Sequence, residues 1–237
     1  MLSRHLSTLG IVISLATTAW PRVVINEILY HAPDSDLEYI ELLNTSTDTV
    51  DLSKWIIQDD QDTHSFEIPE GTSFPPGEYL VIANDPVLFQ QAYGFAPDVS
   101  GIPFRFSNSG DTVRLFDPVN ALQEEVRYDD RLPWPEAADG GGASLERRNG
   151  LLPASLPESW AASANHGTPG QANTAYADTL PPLILDVDHA RKIPRPLQEI
   201  TVTARFLDVD GQIASARLQY GWNRGTQYTA VAMNDDG

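Results

Sequence analysis

The chain has 237 residues, 41% of them hydrophobic and 20% charged, enough apolar content for a packed core. Its 15 Lys and Arg against 33 Asp and Glu leave a formal charge of −18, which repels phosphate backbones and makes nucleic acid an unfavourable partner. There is no cysteine, which excludes disulfide staples, thiolate nucleophiles, zinc–thiolate sites and iron–sulfur clusters.

The first element is an export signal. Arg4 and His5 precede the apolar stretch Leu9-Gly10-Ile11-Val12-Ile13-Ser14-Leu15-Ala16, and Thr17-Thr18-Ala19 supplies small residues for cleavage after Ala19. Such an h-region is too short to span a bilayer, and no later segment reaches transmembrane length. Residues 1–19 are therefore expected to be a signal peptide, placing the mature chain outside the cytoplasm or on the cell surface.

Three short β runs follow closely: Val23-Val24-Ile25-Asn26-Glu27-Ile28, Glu38 through Asn44, and Val50 through Ile57. None leaves room for a crossover helix, so antiparallel strands that each bury one face are predicted. Gln58-Asp59-Asp60-Gln61-Asp62 is an acidic turn before the strand Thr63–Pro69, and Pro75-Pro76-Gly77 turns the chain into Glu78–Ala83. Asp85-Pro86 reads as an N-cap with proline at the first helical position, and Gly94 as the C′ glycine of one short helix over Val87–Tyr93.

Later, Ser107-Asn108-Ser109-Gly110-Asp111 precedes the strand Thr112–Phe116, and Asp117-Pro118-Val119-Asn120 turns into Leu122–Tyr128. The loop ending in Gly140-Gly141-Gly142 leads to the strand Ala143–Arg147. Trp55, Trp134 and Trp160 lie beside turns and are expected to anchor loops onto the core. Glu27 and Glu41 alternate with apolar neighbours, so structural roles are expected, with at least one carboxylate held by a backbone amide or an arginine near a sheet end.

A linker over residues 175–181 precedes a second β unit over 182–237. Its strands fall at Leu183–Val187, Ile200–Phe206, Ile213–Tyr220 and Tyr228–Met233, with Asp208-Val209-Asp210-Gly211 as a turn. About four strands make an incomplete sandwich, the expected start of an immunoglobulin- or fibronectin-type repeat in a longer protein. The acidity belongs to the first part: residues 1–181 hold 9 basic and 26 acidic side chains, a net of −17, against 6 and 7 in residues 182–237, a net of −1.

Eight motifs in order resemble a lamin-tail domain across residues 22–174. They are Ile25-Asn26-Glu27-Ile28, Glu38-Tyr39-Ile40-Glu41-Leu42 with Asn44, Val50-Asp51-Leu52-Ser53-Lys54-Trp55, and Pro76-Gly77-Glu78-Tyr79-Leu80-Val81. Ser107 through Asp111, Pro133-Trp134-Pro135, Ser144-Leu145-Glu146-Arg147, and Gly167-Thr168-Pro169-Gly170 with Asn173 complete the set. Lys54 stands where the family often carries glycine. The resemblance implies an all-β, immunoglobulin-like antiparallel sandwich with one short helix, of a kind found in nuclear lamins and in exported bacterial proteins. It also implies a non-catalytic binding or structural module that spaces, anchors or adheres at a cell surface. The alternative is the N-terminal accessory region of an exported enzyme, a spore-coat-H-type kinase or a nuclease, whose catalytic domain lies beyond residue 237.

No constellation for catalysis is assembled by spacing. His5, His31, His64, His166 and His189 are scattered, and no serine sits in a Gly-x-Ser-x-Gly elbow. Oxygen-rich turns at Asp34–Glu38, Asp59–Asp62 and Asp208–Gly211 make calcium the one candidate ion, yet none has the spacing of a calcium loop. Arg127, Arg131, Arg147 and Arg148 form the one candidate basic patch, without interleaved exposed aromatics. No catalytic, cofactor-binding or metal residue is therefore assigned, no cofactor is expected, and the expected partner is a surface protein or polysaccharide.

Overall fold

The computed structural model describes residues 23–189, 200–211, 213–221 and 228–235. The signal-peptide expectation for residues 1–19 lies outside them. Two sheets enclose one core. The first has six strands in the order β12-β11-β1-β2-β7-β8, where β1 is Val23–Leu29, β2 Tyr39–Asn44, β7 Tyr79–Ala83, β8 Val99–Ser100, β11 Leu145–Arg147 and β12 Trp160–Ala162. The second has four in the order β10-β9-β4-β5, with β4 Ile56–Gln58, β5 Ser65–Glu67, β9 Asp111–Phe116 and β10 Leu122–Tyr128. A ribbon of β3 (Val50–Asp51) and β6 (Ser73–Phe74) sits beside them. This is the β-sandwich that the strand spacing predicts, with the immunoglobulin-like architecture that the resemblance implies.

The core between the sheets joins Ile25, Ile28, Ile40, Leu42 and Leu80 of the first sheet to Ile57, Val113, Leu115, Val126 and Tyr128 of the second. Strand β9 alternates buried and half-buried positions, as a strand with one covered face should. Strand β1 does not: all seven of its residues are buried. Its second face is covered as well, which corrects the expectation of one buried face per strand.

Two segments provide that cover. Helix α1, Pro86–Tyr93, lays Phe89 and Tyr93 over Leu29, Tyr39, Val81 and Ala83. Its ends form as the sequence predicts: the Asp85 side chain accepts from the N–H groups of Val87 and Leu88, and Gly94 adopts φ 81° with its N–H on Gln90 O. It is the one α-helix among the described residues. The second cover is the segment after β12, which runs back across β11, β1 and β2.

Three details depart from the predicted elements. The run Val50–Ile57 divides into β3 and β4 because Lys54 turns the chain with φ 63°, a left-handed conformation that favours glycine. This explains why glycine is common there in the resembling family. Strand β8 pairs parallel to β7, Ile82 opposite Val99, because α1 carries the chain back across the sheet. Strands β6, β8 and β12 are only two or three residues long, too short to show a period in sequence.

Residues 175–181 lie against the first domain: Ala177 N–H donates to Arg148 O, Asn149 Nδ2 donates to Ala177 O, and Leu180 is buried. Beyond them, β13 (Leu183–His189) pairs with β14 (Val202–Leu207), and β15 (Arg217–Tyr220) with β16 (Thr229–Ala232). These are two separate antiparallel ribbons, and none of the described residues from 182 onward is buried.

Candidate functional site

The acidic turns do different work from one another. Asp34 caps the 3-10 turn Ser35–Leu37 through Asp36 N–H, and Asp36 pairs with Arg105. Glu38 points inward instead, is 2% exposed, and accepts Phe106 N–H at 2.9 Å. Burial pushes its carboxyl up to about 8, opposed by that amide and by Arg105. Asp208 accepts Asp210 N–H within its own turn.

The second acidic turn gains a partner that spacing did not reveal. Carboxylate oxygens of Asp59, Asp60 and Asp111 lie within 4.8 Å of one another. The two buried members already hold the protein together. Asp59 accepts Gln61 N–H at 2.8 Å and pairs with His64 Nδ1 at 2.6 Å. Asp111 accepts the N–H groups of Ser107, Thr112 and Asp60 at 2.8, 2.7 and 3.1 Å. Burial raises the Asp111 carboxyl and the three amides oppose that rise. The Asp59–His64 and Asp111 contacts clasp two loops, residues 59–64 and 107–111, at one end of the four-stranded sheet, and Arg114 closes the group on Asp62 and on Asp59 O. These oxygens would supply the ligands if a divalent cation bound here.

The largest polar constellation lies on the outer face of the six-stranded sheet. Register sets Glu146 opposite Glu27 and Glu27 opposite Glu41, so three carboxyls form a row across β11, β1 and β2. All three are 0% exposed. Their partners come from the covering segment over residues 163–175. Thr168 N–H donates to Glu27 Oε1 at 2.9 Å, Gly170 N–H to Glu41 Oε2 at 2.5 Å, and Ala175 N–H to Glu146 Oε2 at 2.8 Å. The hydroxyls of Thr168 and Thr174 donate to Glu146 at 2.8 and 2.7 Å. From the sheet itself, Ser144 Oγ donates to Glu27 and Asn26 Nδ2 to Glu41.

Burial dominates the electrostatics of Glu27 and Glu41. It pushes Glu27 up to about 7 and Glu41 up to about 8, against the hydrogen bonds that favour the ionised forms. Tyr39 Oη lies near enough to Glu27 to favour its charge. It nevertheless makes no well-aligned hydrogen bond, and neither does Glu27 Oε2. The backbone fits just as tightly. Gly167 has φ 94°, and a Cβ there would overlap Tyr39 Oη and lie 2.5 Å from Glu27 Oε1. Glu27 and Glu41 thus have the structural roles that the sequence predicts, with backbone amides as partners. They sit in the middle of the sheet, however, and no arginine reaches them among the described residues.

The candidate basic patch does not assemble. Arg147 is 1% exposed and forms an ion pair with Glu124 of β10 at 2.6 Å, bridging the two sheets. Its guanidinium also reaches the carbonyls of Ile25, Gly150 and Leu152 and lies 5.8 Å from the Trp160 ring centroid. That leaves Arg127, Arg131 and Arg148 without the central member of the patch. His31, His64 and His166 are paired or packed: His31 Nδ1 lies 2.5 Å from Asp139, His64 pairs with Asp59, and a Cβ at Gly142 would crowd the His166 ring; His5 lies outside the described residues. Trp55, Trp134 and Trp160 are buried, and Trp160 Nε1 donates to Ala154 O at 2.8 Å, as expected of loop anchors. No helix among the described residues is long and apolar enough to cross a membrane.

No curated protein matches the chain. Residues 16–130, just under half of its 237, match the family model of the Lamin Tail Domain. That segment includes eight of the ten strands of the two main sheets, together with α1. Strands β11 and β12 and the covering segment complete the first sheet beyond the matched residues. Sequence match and sandwich architecture agree, and the chain contains a lamin tail domain, an immunoglobulin-like module.

Proposed function

We propose that this chain is a non-catalytic, exported structural or binding module that spaces, anchors or adheres at a cell surface. One observation carries the reading: its buried carboxylates hold loops to strands. Glu27, Glu41, Glu146, Glu38, Asp111 and Glu124 each accept a backbone N–H from a segment distant in sequence. Such contacts build a rigid body with fixed loops, the scaffold on which surface recognition is usually carried. The N-terminal signal-like segment supports export, and the acidic exterior supports solubility there. The partner chemistry that suits such a surface is a protein or a polysaccharide.

Expression of the full chain in a bacterial host, with fractionation and N-terminal sequencing, tests the export. A mature chain beginning after Ala19 outside the cytoplasm is expected, and an unprocessed cytoplasmic chain would overturn it. Nuclease and phosphotransfer assays on the purified chain are expected to stay at background. Activity that copurifies with the folded protein would favour an enzymatic reading instead.

A further inference from the structure

The row of glutamates and the segment over it form a device that goes beyond scaffolding. The three glutamates stand on adjacent strands, where the Cβ atoms of directly opposed neighbours are about 5 Å apart, and all three are fully buried. Among the described residues no salt bridge reaches any of the three. Three negative charges so placed repel one another strongly in a low-dielectric site. Protons held within the row relieve that repulsion.

We propose that residues 163–175 are a pH-responsive strap, seated on the Glu146–Glu27–Glu41 row of the six-stranded sheet while Glu27 and Glu41 retain protons and loosened when both ionise. The strap contributes most of the donors that the row uses. The chain enters the seat through Gly167, where the sheet leaves no space for a side chain. Strap and row are therefore complementary in one arrangement, and charge in the row acts on the same atoms that hold the strap.

The surrounding groups do not supply a compensating cation. From β2, Tyr39 faces Glu27 and Glu41, and from α1, Tyr93 faces Glu27 while its hydroxyl donates to His166 O of the strap. Tyr79 of β7 and Asp98 ahead of β8 face Glu41. Glu146 faces Glu27 from β11. His166 is the strap's own titratable side chain, with its ring against Gly142. Burial holds Glu27 near 7 and Glu41 near 8, from 4.5 for a free glutamate. Each is thus raised in the seated form, so ionisation favours the open form and seating weakens as pH rises through this range.

Residue-resolved amide hydrogen exchange on the full chain tests this, followed at Thr168, Gly170 and Ala175 between pH 5.5 and 8.5 and corrected for intrinsic base catalysis. The opening constant of these amides is expected to rise about tenfold or more across the range, while Ile82 and Leu115 in the core change far less. E41Q is expected to remove most of the rise and H166N to leave it. A constant opening free energy, or a rise retained in full by E41Q or abolished by H166N, would overturn the proposal. Carboxyl carbon titration of the unmutated chain gives a second measure. Midpoints for Glu27 and Glu41 both at the free-glutamate value would overturn it, and midpoints near neutrality would support it.

Discussion

Arg147 is the side chain whose loss should be felt most. The substitution R147M keeps the apolar stem and removes the guanidinium. It leaves Glu124, 7% exposed, without its cation and strips donors from the carbonyls of Ile25 and Leu152. Breaking one side of a buried ion pair costs about 3–5 kcal/mol, because the remaining charge is stranded. E124Q strands the guanidinium instead and should cost a similar amount. Removing both charges removes the stranded partner, so R147M/E124Q should cost less than the sum of the singles by about 2 kcal/mol. Denaturant unfolding of the four proteins measures the cycle. In heat, R147M should unfold roughly 10 °C lower, taking about 2–4 °C per kcal/mol for a domain of this size. Costs that simply add, or a single substitution below about 1 kcal/mol, would show that the pair does not join the sheets as described.

Gly167 offers a sharper steric test: G167A combines a left-handed backbone with direct overlap on Tyr39 and Glu27, and should cost about 2–4 kcal/mol in denaturant unfolding. Lys54 points the other way. At φ 63°, with only an exposed ion pair to Glu70, K54G should stabilise by about 0.5–1 kcal/mol. Glu27, Glu38 and Glu41 are all raised on folding, to about 7, 8 and 8. Their contribution is therefore complete below the ordinary glutamate range and falls as pH rises through 5 to 8. The thermal midpoint should decline across that interval, and E38Q should flatten part of the decline; an increase would contradict the burial of these groups. Because its oxygens already clasp loops, the Asp59–Asp60–Asp111 group should respond weakly to calcium. At millimolar calcium the midpoint is expected to move by roughly a degree or less, and a rise of several degrees would identify a cation site there.

Much of the fold was legible because local chemistry and tertiary position agreed. Helix α1 carries its own start and stop in Asp85, Pro86 and Gly94, and strands β9 and β10 follow the period of a half-covered sheet. What was not legible depends on contacts between distant residues. The parallel pairing of β8 follows from the path of α1, and no pattern in Val99-Ser100 encodes it. Asp111 joins Asp59 across more than 50 residues, and Arg147 looks like any surface arginine until β10 brings Glu124 to it.

The row of glutamates shows why the site was harder to read than the strands. Polar residues in the pattern Val-Val-Ile-Asn-Glu-Ile are the ordinary mark of a strand's solvent face, and an isolated β1 would expose Asn26 and Glu27. Only a cover that donates several hydrogen bonds can bury them, and that cover is written 140 residues later as Gly-Thr-Pro-Gly and Asn173. Asn173 completes the match, donating to Asn26 O and Arg147 O while accepting from Asn26 Nδ2. The two segments make physical sense only together: the carboxyls explain the glycines and threonines of the strap, and the strap explains carboxyls with no cation. A buried acidic row without arginine is unfavourable for stability alone. Its sensitivity to proton concentration is the property that an apolar row in the same place would lack.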